Sequence, residues 1–457
     1  MTSTSRREPI LRSGDVRSAS RARDSFVTAA IFWLLVGPRV NLINFAGSSV
    51  RLEDLVMASL GLVSIGSWLS TNRSKVGSTK IGLVIVATLA SCVVGIISAR
   101  INPAAGLLYA LRPLEYWLTL PAVVLLLAGK NATDRLAWLV RMLAIITVLQ
   151  VVAAALQYLG GFDIGFSKFS YERGAGLTAG PYELGAICAL LACFWFARKN
   201  YALLVLSLAG ITMSQSRTSI AGVIIAIVVL FVRERFFPAR PWAGIAVVPP
   251  RPSQARRAAS VVGVTLGVIA LLLFSTPIVQ QVVVPAASRV GSTSLITTWQ
   301  QAGLLAQSQA PSETSQEYQT IAYVTIVSDV MQPNSAADAS NLVRFYRWHL
   351  LLNAISNSGD YWFGLGPSFP GPSVDGAFLR IFVESGIFGL IAWYLFFLNW
   401  FRRTTFWFKA GALTLLVGSL FIDLPFALRP MVMLWILFAI ARSERDRFGD
   451  QPNVLRD

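Results

Sequence analysis

Residues 341–390 have the sequence NLVRFYRWHLLLNAISNSGDYWFGLGPSFPGPSVDGAFLRIFVESGIFGL, and the remainder of the chain is best understood from this stretch. It passes a Gly-x-Gly turn at Gly364 and Gly366 and then enters a long apolar segment. Its charged candidate residues are Arg344, Arg347, Asp375, Arg380 and Glu384. Because charged side chains beside an apolar span are costly and usually mark function, we expect this stretch to hold an anionic ligand at one face of a membrane.

The composition is that of a polytopic membrane protein. Of the 457 residues, 54% are hydrophobic and only 14% are charged, whereas about a quarter of the residues of a soluble domain are charged. The formal net charge of +16 could indicate nucleic-acid binding. The basic residues are concentrated in the loops of one side, however, so no nucleic-acid partner is expected.

Twelve apolar runs are candidate membrane spans, and only helices satisfy every backbone group of such runs in lipid. The sequence therefore predicts an all-α polytopic protein with a large outer loop. The runs lie at roughly 25–46, 52–69, 81–99, 105–128, 137–159, 182–197, 201–215, 218–232, 258–279, 375–400, 404–424 and 428–441. The corresponding regions are a basic tail (1–24), transmembrane helices 1–9 with a linker at 233–257 (25–279), the outer loop (280–374), transmembrane helices 10–12 (375–441) and a second tail (442–457).

The orientation follows from the distribution of Lys and Arg, which favour the cytoplasmic side. With the amino terminus inside, most of the 39 basic residues fall in cytoplasmic segments, among them 1–24 and 233–257. Both termini are then cytoplasmic. No small-residue cleavage site follows a short apolar core, so the first run is expected to be a signal anchor.

Within the outer loop, residues 341–357 have helical spacing. The apolar side chains of one face are Leu342, Phe345, Trp348, Leu352 and Ile355. Arg344 and Arg347 run beside this face. We therefore expect a helix at the outer surface whose arginines turn toward a cleft.

Basic residues on the outer side oppose the usual charge distribution, and an anionic substrate would offset their cost. Arg217 is the sharpest case, because it lies in SQSRTS (214–219) between two runs of about 15 residues that rise only ~23 Å, so the hairpin tip is expected to be recessed. The alternative is an arginine that snorkels from a helix end. The outer set is Arg39, Arg51, Arg100, Arg112, Lys168, Arg173, Arg217, Arg289, Arg344, Arg347, Arg380 and Arg429.

A second loop, SYERGAGLTAGPYELGA (170–186), combines Arg173 with several glycines. Because glycine lets the backbone approach a ligand closely, this loop is a candidate part of the site. Glu183, at the start of the next apolar run, is either a site residue or a helix cap.

Five further residues have two interpretations each. Asp375 and Glu384 could accept a proton from an attacking hydroxyl, or could orient an arginine as salt-bridge partners. Arg112 and Glu115 lie three apart on one helix face, either as supporting site residues or as an ion pair that stabilises the bundle. His349 is either an acid or base or an ordinary histidine of the surface helix.

At these residues the chain resembles the bacterial O-antigen polymerase and ligase superfamily (Wzy-like and WaaL-like proteins). Three patterns of that family occur here in the family's order. They are an Arg-x-x-Gly loop followed by a proline (Arg173, Gly176, Pro181), a Ser-Arg pair that opens a span (Ser216, Arg217), and an arginine-containing loop followed by Gly-x-Gly and Glu-x-Gly-x-x-Gly (Arg344, Arg347, Trp348, Gly364, Gly366, Glu384, Gly386, Gly389). The resemblance covers residues 170–400 well and the earlier residues only by their span pattern.

The resemblance implies a membrane glycosyltransferase of the GT-C type. Such an enzyme would polymerise undecaprenyl-diphosphate-linked repeats into O-antigen, capsular or exopolysaccharide at the outer face of the bacterial inner membrane, without a metal or other cofactor. The lipid-linked glycan and the bilayer are the expected partners, with a chain-length regulator as a possible further one. The diphosphate-binding arginines carry over to Arg173, Arg217, Arg344 and Arg347, and Arg217, Arg347 and Asp375 form the expected catalytic set.

One departure separates the branches of the family. Ligases place a histidine just before the span that holds the Glu-x-Gly pattern, whereas this chain has Asp375 there and its single histidine is His349. The departure favours a polymerase, in which Asp375 substitutes as proton acceptor or the reaction needs no strong base. A ligase that transfers the glycan to a lipid or protein acceptor is the nearer alternative, and a polysaccharide or lipid transporter is the more distant one.

Overall fold

The described residues of the computed structural model form twelve α-helices, one 3₁₀ turn and one β-hairpin. The description covers residues 13–45, 48–70, 112, 115–127, 131–162, 173–236, 295–308, 339–367, 369–370, 374–401 and 404–448.

The helices follow one another along the chain with short connections wherever both neighbours are described. They are α1 (Ser13–Val36), α2 (Leu52–Ser70), α3 (Thr119–Leu126), α4 (Ala132–Gly160), α5 (Pro181–Ala197), α6 (Tyr201–Ser214), α7 (Arg217–Phe236), α8 (Leu295–Ser308), α9 (Ala339–Ser358), α10 (Ala377–Phe401), α11 (Phe406–Ser419) and α12 (Leu428–Phe448). Strands β1 (Asn41–Phe45) and β2 (Ser48–Arg51) pair antiparallel, and Leu424–Phe426 forms the 3₁₀ turn.

The predicted helices are confirmed wherever the chain is described. The predicted runs 81–99 and 258–279 lie outside the described residues, and each of the other runs contains a helix. The predicted end of the first run at residue 46 is wrong, because α1 ends at Val36 and the chain then forms the hairpin of β1 and β2. Pro38 cannot continue a helix, and an unbroken apolar run does not by itself distinguish a helix from a strand.

Two helices belong to the predicted outer loop. Helix α9 matches the expected helix at 341–357, whereas α8 was not predicted. The two pack against each other, and the apolar face of α9 is buried in a small core that also includes Leu365 and Val383. Within the described residues this core is separate from the main one, which is formed by α1–α7, α11 and α12.

Helix α5 lies at the centre of the main core. All its residues from Leu184 to Phe196 are buried, and it contacts α6, α7, α11 and α12. Close packing around it depends on small residues, since a Cβ at Gly210 of α6 would lie 2.7 Å from the sulfur of Cys188. Cys188 and Cys193 are buried free thiols.

The main bundle has an upper end, which we define by the turn at 37–40, loop 173–180, turn 214–217 and segment 420–429. The guanidinium of Arg429 donates to the carbonyls of Leu177 and Gly37, and the N–H of Gly174 donates to the carbonyl of Met213 at 2.9 Å. These contacts join the ends of α1, α6 and α12 to the loop that precedes α5.

The opposite, lower end carries its own charged contacts. Arg198 after α5 pairs with Glu444 of α12, which also accepts from the indole of Trp407 at 3.3 Å. The guanidinium of Arg233 lies 4.2 Å from the ring centroid of Phe406. Helices α7 and α11 therefore run antiparallel, and the first residue of α7, Arg217, lies at the upper end.

Two of the described helices are long and apolar enough to cross a membrane, namely residues 132–160 and 377–398. Four more apolar helices are shorter, namely 115–126, α5, α6 and α11. The described chain is therefore mostly helical and contains two candidate spans.

Helix α10 is broken at Gly386, which has φ 65° and ψ −166° inside an otherwise helical segment. The backbone of loop 361–366 fills the break and takes up the hydrogen-bonding groups that the helix leaves unpaired. In the loop, the N–H groups of Leu365 and Gly366 donate to the carbonyls of Val383 (2.7 Å) and Glu384 (3.1 Å). In the helix, the N–H groups of Ile387 and Phe388 donate to the carbonyls of Tyr361 (2.9 Å) and Trp362 (3.3 Å). A Cβ at Gly364 would lie 2.6 Å from the backbone nitrogen of Gly386. The loop and the helix can therefore approach this closely only because both positions are glycine.

We predict that Gly386→Ala destabilises the protein by at least about 1–3 kcal/mol, because alanine is strained at positive φ and its Cβ would overlap the carbonyl of Trp362. The measurement is the thermal unfolding midpoint of the detergent-purified protein. Gly411→Ala is the matched control, since a Cβ there meets only side-chain and backbone atoms at 3.5 Å or beyond. Equal midpoints for the two variants would contradict this account of the break.

Candidate functional site

Two buried glutamines of α4 fix the loop at 173–180. The Oε1 atom of Gln157 accepts from the N–H groups of Ala175 and Gly176 at 2.7 and 2.8 Å, and its Nε2 atom donates to the carbonyl of Gly176 at 2.8 Å. Two helical turns before Gln157, the Oε1 atom of Gln150 accepts from the N–H of Leu177 at 2.9 Å. Since these bonds satisfy backbone groups that are shielded from water, the loop has a defined conformation.

The loop carries Arg173 at its first described position. The guanidinium of Arg173 lies 3.3 Å from the hydroxyl of Tyr182 and 5.9 Å from the centroid of the same ring. Among the described residues these are its contacts, and none is with a carboxylate. An arginine held by a tyrosine keeps its charge available for an anion.

Turn 214–217 lies beside that loop. Gln215 has a left-handed conformation with φ 51°, and the buried Ser216 hydroxyl caps α7 by accepting from the N–H of Ser219 at 3.4 Å. The turn packs onto the start of α5, where a Cβ at Gly185 would lie 2.9 Å from the hydroxyl of Ser214. Arg217 follows as the exposed first residue of α7. The Ser-Arg pair thus combines a helix cap with an exposed arginine.

The second part of the site is the turn around Asp375. Asp375 is one of three described non-glycine residues with positive φ, here 58°. Its Oδ2 atom lies 3.2 Å from Nη1 of Arg347 on α9, and the arginine side chain is only 11% exposed whereas that of Asp375 is 32% exposed. The carboxylate is therefore accessible to a ligand while its partner is largely enclosed.

Asp423 holds that turn in place. Its Oδ2 accepts from the N–H of Val374 at 2.8 Å and its Oδ1 accepts from the N–H of Gly376 at 3.1 Å, on either side of Asp375. From the other direction, the indole of Trp348 donates to the carbonyl of Val374 at 3.1 Å. The strained conformation of Asp375 is thus imposed by its neighbours, and such imposed strain is typical of functional sites.

The carboxylate of Asp423 also pairs with the buried Arg380 at 3.2 Å. Arg380 in turn donates from Nε to Glu384 at 3.0 Å and lies 4.6 Å from the ring centroid of Phe426. Both carboxylate oxygens of Asp423, and the Nε and Nη1 atoms of Arg380, are thus used in bonds within the protein. This geometry corresponds to the salt-bridge interpretation of Glu384.

Segment 420–429 connects the two parts of the site. Asp423 at one end binds the Asp375 turn, and Arg429, fully buried six residues later, binds the carbonyl of Leu177 in the Arg173 loop. Arg173, Arg217, Arg347 and Asp375 therefore all lie at the upper end of the bundle.

Several candidate arginines have structural partners instead. Arg39 pairs with Glu183 at 2.7 Å, and although burial opposes its charge, the carboxylate of Glu183 raises the pKa of Arg39 overall. Glu183 also accepts from the N–H of Ala179 at 3.3 Å, so it acts both as a cap for α5 and as an ion-pair partner.

His349 belongs to α9, and its side chain packs against α8. Its ring centroid lies 3.9 Å from that of Trp299, and its Nε2 is 3.1 Å from the carbonyl of the same residue. Burial lowers the pKa of His349, although this hydrogen bond partly opposes the shift. The contacts fit the interpretation of His349 as a packing residue of the surface helix.

The remaining predicted residues lie near the same end or outside the description. Arg344 precedes Arg347 by one turn of α9 and is partly buried. Glu115 interacts electrostatically with Asp54, Arg112 and Arg51. The candidates outside the described residues are Arg100, Lys168 and Arg289.

Three positioning residues were not predicted to have this role, namely Gln150, Gln157 and Asp423, the last of which was expected to pair with Arg429 across a turn and instead binds Val374, Gly376 and Arg380. The glutamines had a signal, because two uncharged polar residues seven apart lie on one face of the long apolar run at 137–159. No family model and no curated protein matches this chain.

We predict that Gln157→Leu destabilises loop 173–180, because three hydrogen bonds to buried backbone groups are lost at a cost of about 1–3 kcal/mol per unsatisfied group. Hydrogen exchange of the peptide covering residues 174–178 should become faster. Leu159→Ala, an exposed position on the same helix, is the control. Unchanged exchange in Gln157→Leu would show that the loop does not depend on this glutamine.

Asp423→Asn should release the turn around Asp375, because an amide presents an N–H group where the carboxylate accepts from a backbone N–H. Breaking a largely buried, paired carboxylate costs about 3–5 kcal/mol, so the variant should show faster exchange at residues 374–376 and a lower unfolding midpoint. Asp360→Asn, in the exposed turn after α9, is the control. Identical exchange in the two variants would refute the proposed role of Asp423.

Proposed function

We propose that the protein is a membrane glycosyltransferase that polymerises lipid-linked glycan repeats. The observation that carries the proposal is that Arg347 of α9 lies at the same end of the helical bundle as Arg173 and Arg217. There Arg347 pairs with Asp375, which is accessible and has a constrained backbone conformation. Guanidinium groups match the oxygens of a diphosphate. The family resemblance of these same residues supports undecaprenyl diphosphate as the carrier.

The proposed topology places the upper end at the outer face of the bacterial inner membrane. The predicted twelve spans and the cytoplasmic position of both termini belong to this proposal. Its support is that the lower end carries Arg135, Arg198 and Arg233, which agrees with the preference of basic residues for the cytoplasmic side.

In the proposed reaction, the hydroxyl of an acceptor repeat attacks the anomeric carbon of the donor glycan. The new glycosidic carbon–oxygen bond forms as the bond from that carbon to the diphosphate breaks. Arg173, Arg217 and Arg347, with Arg344 in support, stabilise the negative charge that builds on the leaving diphosphate. The hydroxyl proton passes to Asp375, whose pairing with Arg347 orients its carboxylate, or to the departing diphosphate.

A reconstituted assay with a purified, defined lipid-linked repeat tests the reaction class. A ladder of lipid-linked oligomers is the expected result. Transfer of single glycans to an added lipid or protein acceptor would identify a ligase. Movement of lipid across the bilayer without a new glycosidic bond would identify a transporter.

Arg217→Ala and Arg347→Ala should each lower the rate of polymerisation by roughly 100- to 1000-fold, the usual effect of removing one group that stabilises a developing charge. Chain length on gels and initial rates in vesicles are the measurements. Arg445→Ala removes an equal charge from an exposed position at the lower end and is the matched control. Normal chains from a well-expressed Arg217→Ala variant would remove Arg217 from the site.

A further inference from the structure

Beyond its break, α10 presents an exposed apolar face. This α10 surface consists of Trp362, Phe363, Phe388, Ile391, Tyr394 and Leu395. Trp362 and Phe388 are 56% and 53% exposed, yet their rings are in contact with a centroid distance of 5.4 Å, and Phe363 lies 5.5 Å from Phe388. The side chains at 388, 391 and 395 follow helical spacing along one face.

The opposite face of α10 is packed. Phe397 stacks on Trp393 at 5.3 Å and on Trp435 of α12 at 6.3 Å, which attaches this half of the helix to the main core. Of the two candidate spans, the α10 segment is the less buried, at 22% against 50% for α4. Among the described residues, none covers the α10 surface to the extent that α12 covers the opposite face.

The upper part of the surface is held rigidly. Trp362 and Phe363 belong to the loop whose backbone is bonded into the break at Gly386 on both sides. A surface whose aromatic groups are already fixed loses little conformational entropy on binding an apolar chain.

The helix that carries this surface begins at the candidate site. Helix α10 begins two residues after Asp375, and Arg380 in its second turn is bonded to Asp423, which fixes the Asp375 turn. A lipid whose diphosphate lies at Arg347 is covalently attached to its own hydrocarbon tail. The first units of that tail must therefore lie on apolar surface close to this turn.

Other helices also expose apolar faces, and they differ from α10. Toward the upper end, α4 and α7 expose mainly aliphatic side chains such as Leu156, Leu159 and Ile224. Such faces suit ordinary acyl chains. The α10 surface instead combines a group of contacting aromatic rings with a place on the helix that begins at the proposed diphosphate site.

We propose that the α10 surface binds the polyprenyl chain of the lipid-linked donor. The inference rests on the proposed function, since it takes the diphosphate of that donor to lie at Arg347. It adds the route of the lipid: the tail lies against Phe388 and Ile391 while Trp362 and Phe363 flank its first units.

Photolabelling of the full chain in phospholipid nanodiscs tests the inference. The probe is geranylgeranyl diphosphate with a photoreactive diazirine on its terminal isoprene. We expect labelling of the peptides that contain residues 361–363 and 388–395, and its loss when unlabelled geranylgeranyl diphosphate is added in excess. Labelling spread equally over α4, α7 and α10, or unaffected by the competitor, would show that ordinary lipid covers this face and overturn the inference. Labelling that appears only when each nanodisc holds a single copy of the protein would assign the face to a second copy of the chain and overturn it too.

A double variant, Trp362→Leu with Phe388→Leu, keeps the surface apolar but removes the rings. It should bind the labelled probe about tenfold more weakly, in line with the loss of two aromatic contacts, while inhibition of labelling by inorganic diphosphate stays the same. Phe231→Leu, an equally exposed ring on α7, is the matched control and should leave binding unchanged. Equal affinities for the double variant and the wild type would also overturn the inference.

Labelling requires no glycosidic bond, so the two proposals can fail separately. Competed labelling of the α10 surface without polymerisation would contradict the proposed reaction alone. Polymerisation with labelling confined to α4 or α7 would contradict the α10 route alone.

Discussion

The carboxylate of Asp423 holds together the part of the upper end that surrounds Asp375. It accepts from two backbone N–H groups that flank Asp375 and from the guanidinium of Arg380. A carboxylate that is largely shielded from water is stable only when such partners satisfy it. The same requirement works in reverse, because the turn keeps its left-handed residue only while Asp423 holds the groups on both sides. The bonds that satisfy the charge of Asp423 are therefore the same bonds that fix the backbone conformation at Asp375.

The broken helix follows the same logic with neutral groups. An interrupted helix leaves carbonyl and N–H groups without partners, which is costly in an apolar environment. Loop 361–366 supplies four backbone partners, and this is feasible only because Gly364 and Gly386 bring the two backbones into direct contact. The repeated glycines of this stretch are thus explained by packing. The same break places the rings of Trp362 and Phe363 against Phe388 on the exposed side of α10.

Apolar runs are local signals, and each predicted run that lies in the described residues contains a helix, whereas α8 was not predicted. Helix α9 and the Ser-Arg start of α7 were predicted within a few residues. What the sequence could not supply were contacts between distant segments. Nothing local indicates that Asp423 binds residues 374 and 376, or that Gln157 fixes the Arg173 loop. The β-hairpin after α1 was missed for a related reason, because its residues are apolar enough to resemble the end of a span.

The outer arginines show why charge on the unexpected side is a weak criterion by itself. Arg39, Arg380 and Arg429 all meet it, yet their guanidinium groups bind carboxylates or carbonyls inside the protein. Arg173 differs, because its described contacts are with Tyr182, and Arg217 differs because it is exposed at a capped helix start. Arg347 is intermediate, since its partner Asp375 is itself accessible. The internal arginines Arg39, Arg380 and Arg429 therefore help to hold the structure together, which distinguishes them from Arg173, Arg217 and Arg347 at the same end of the bundle.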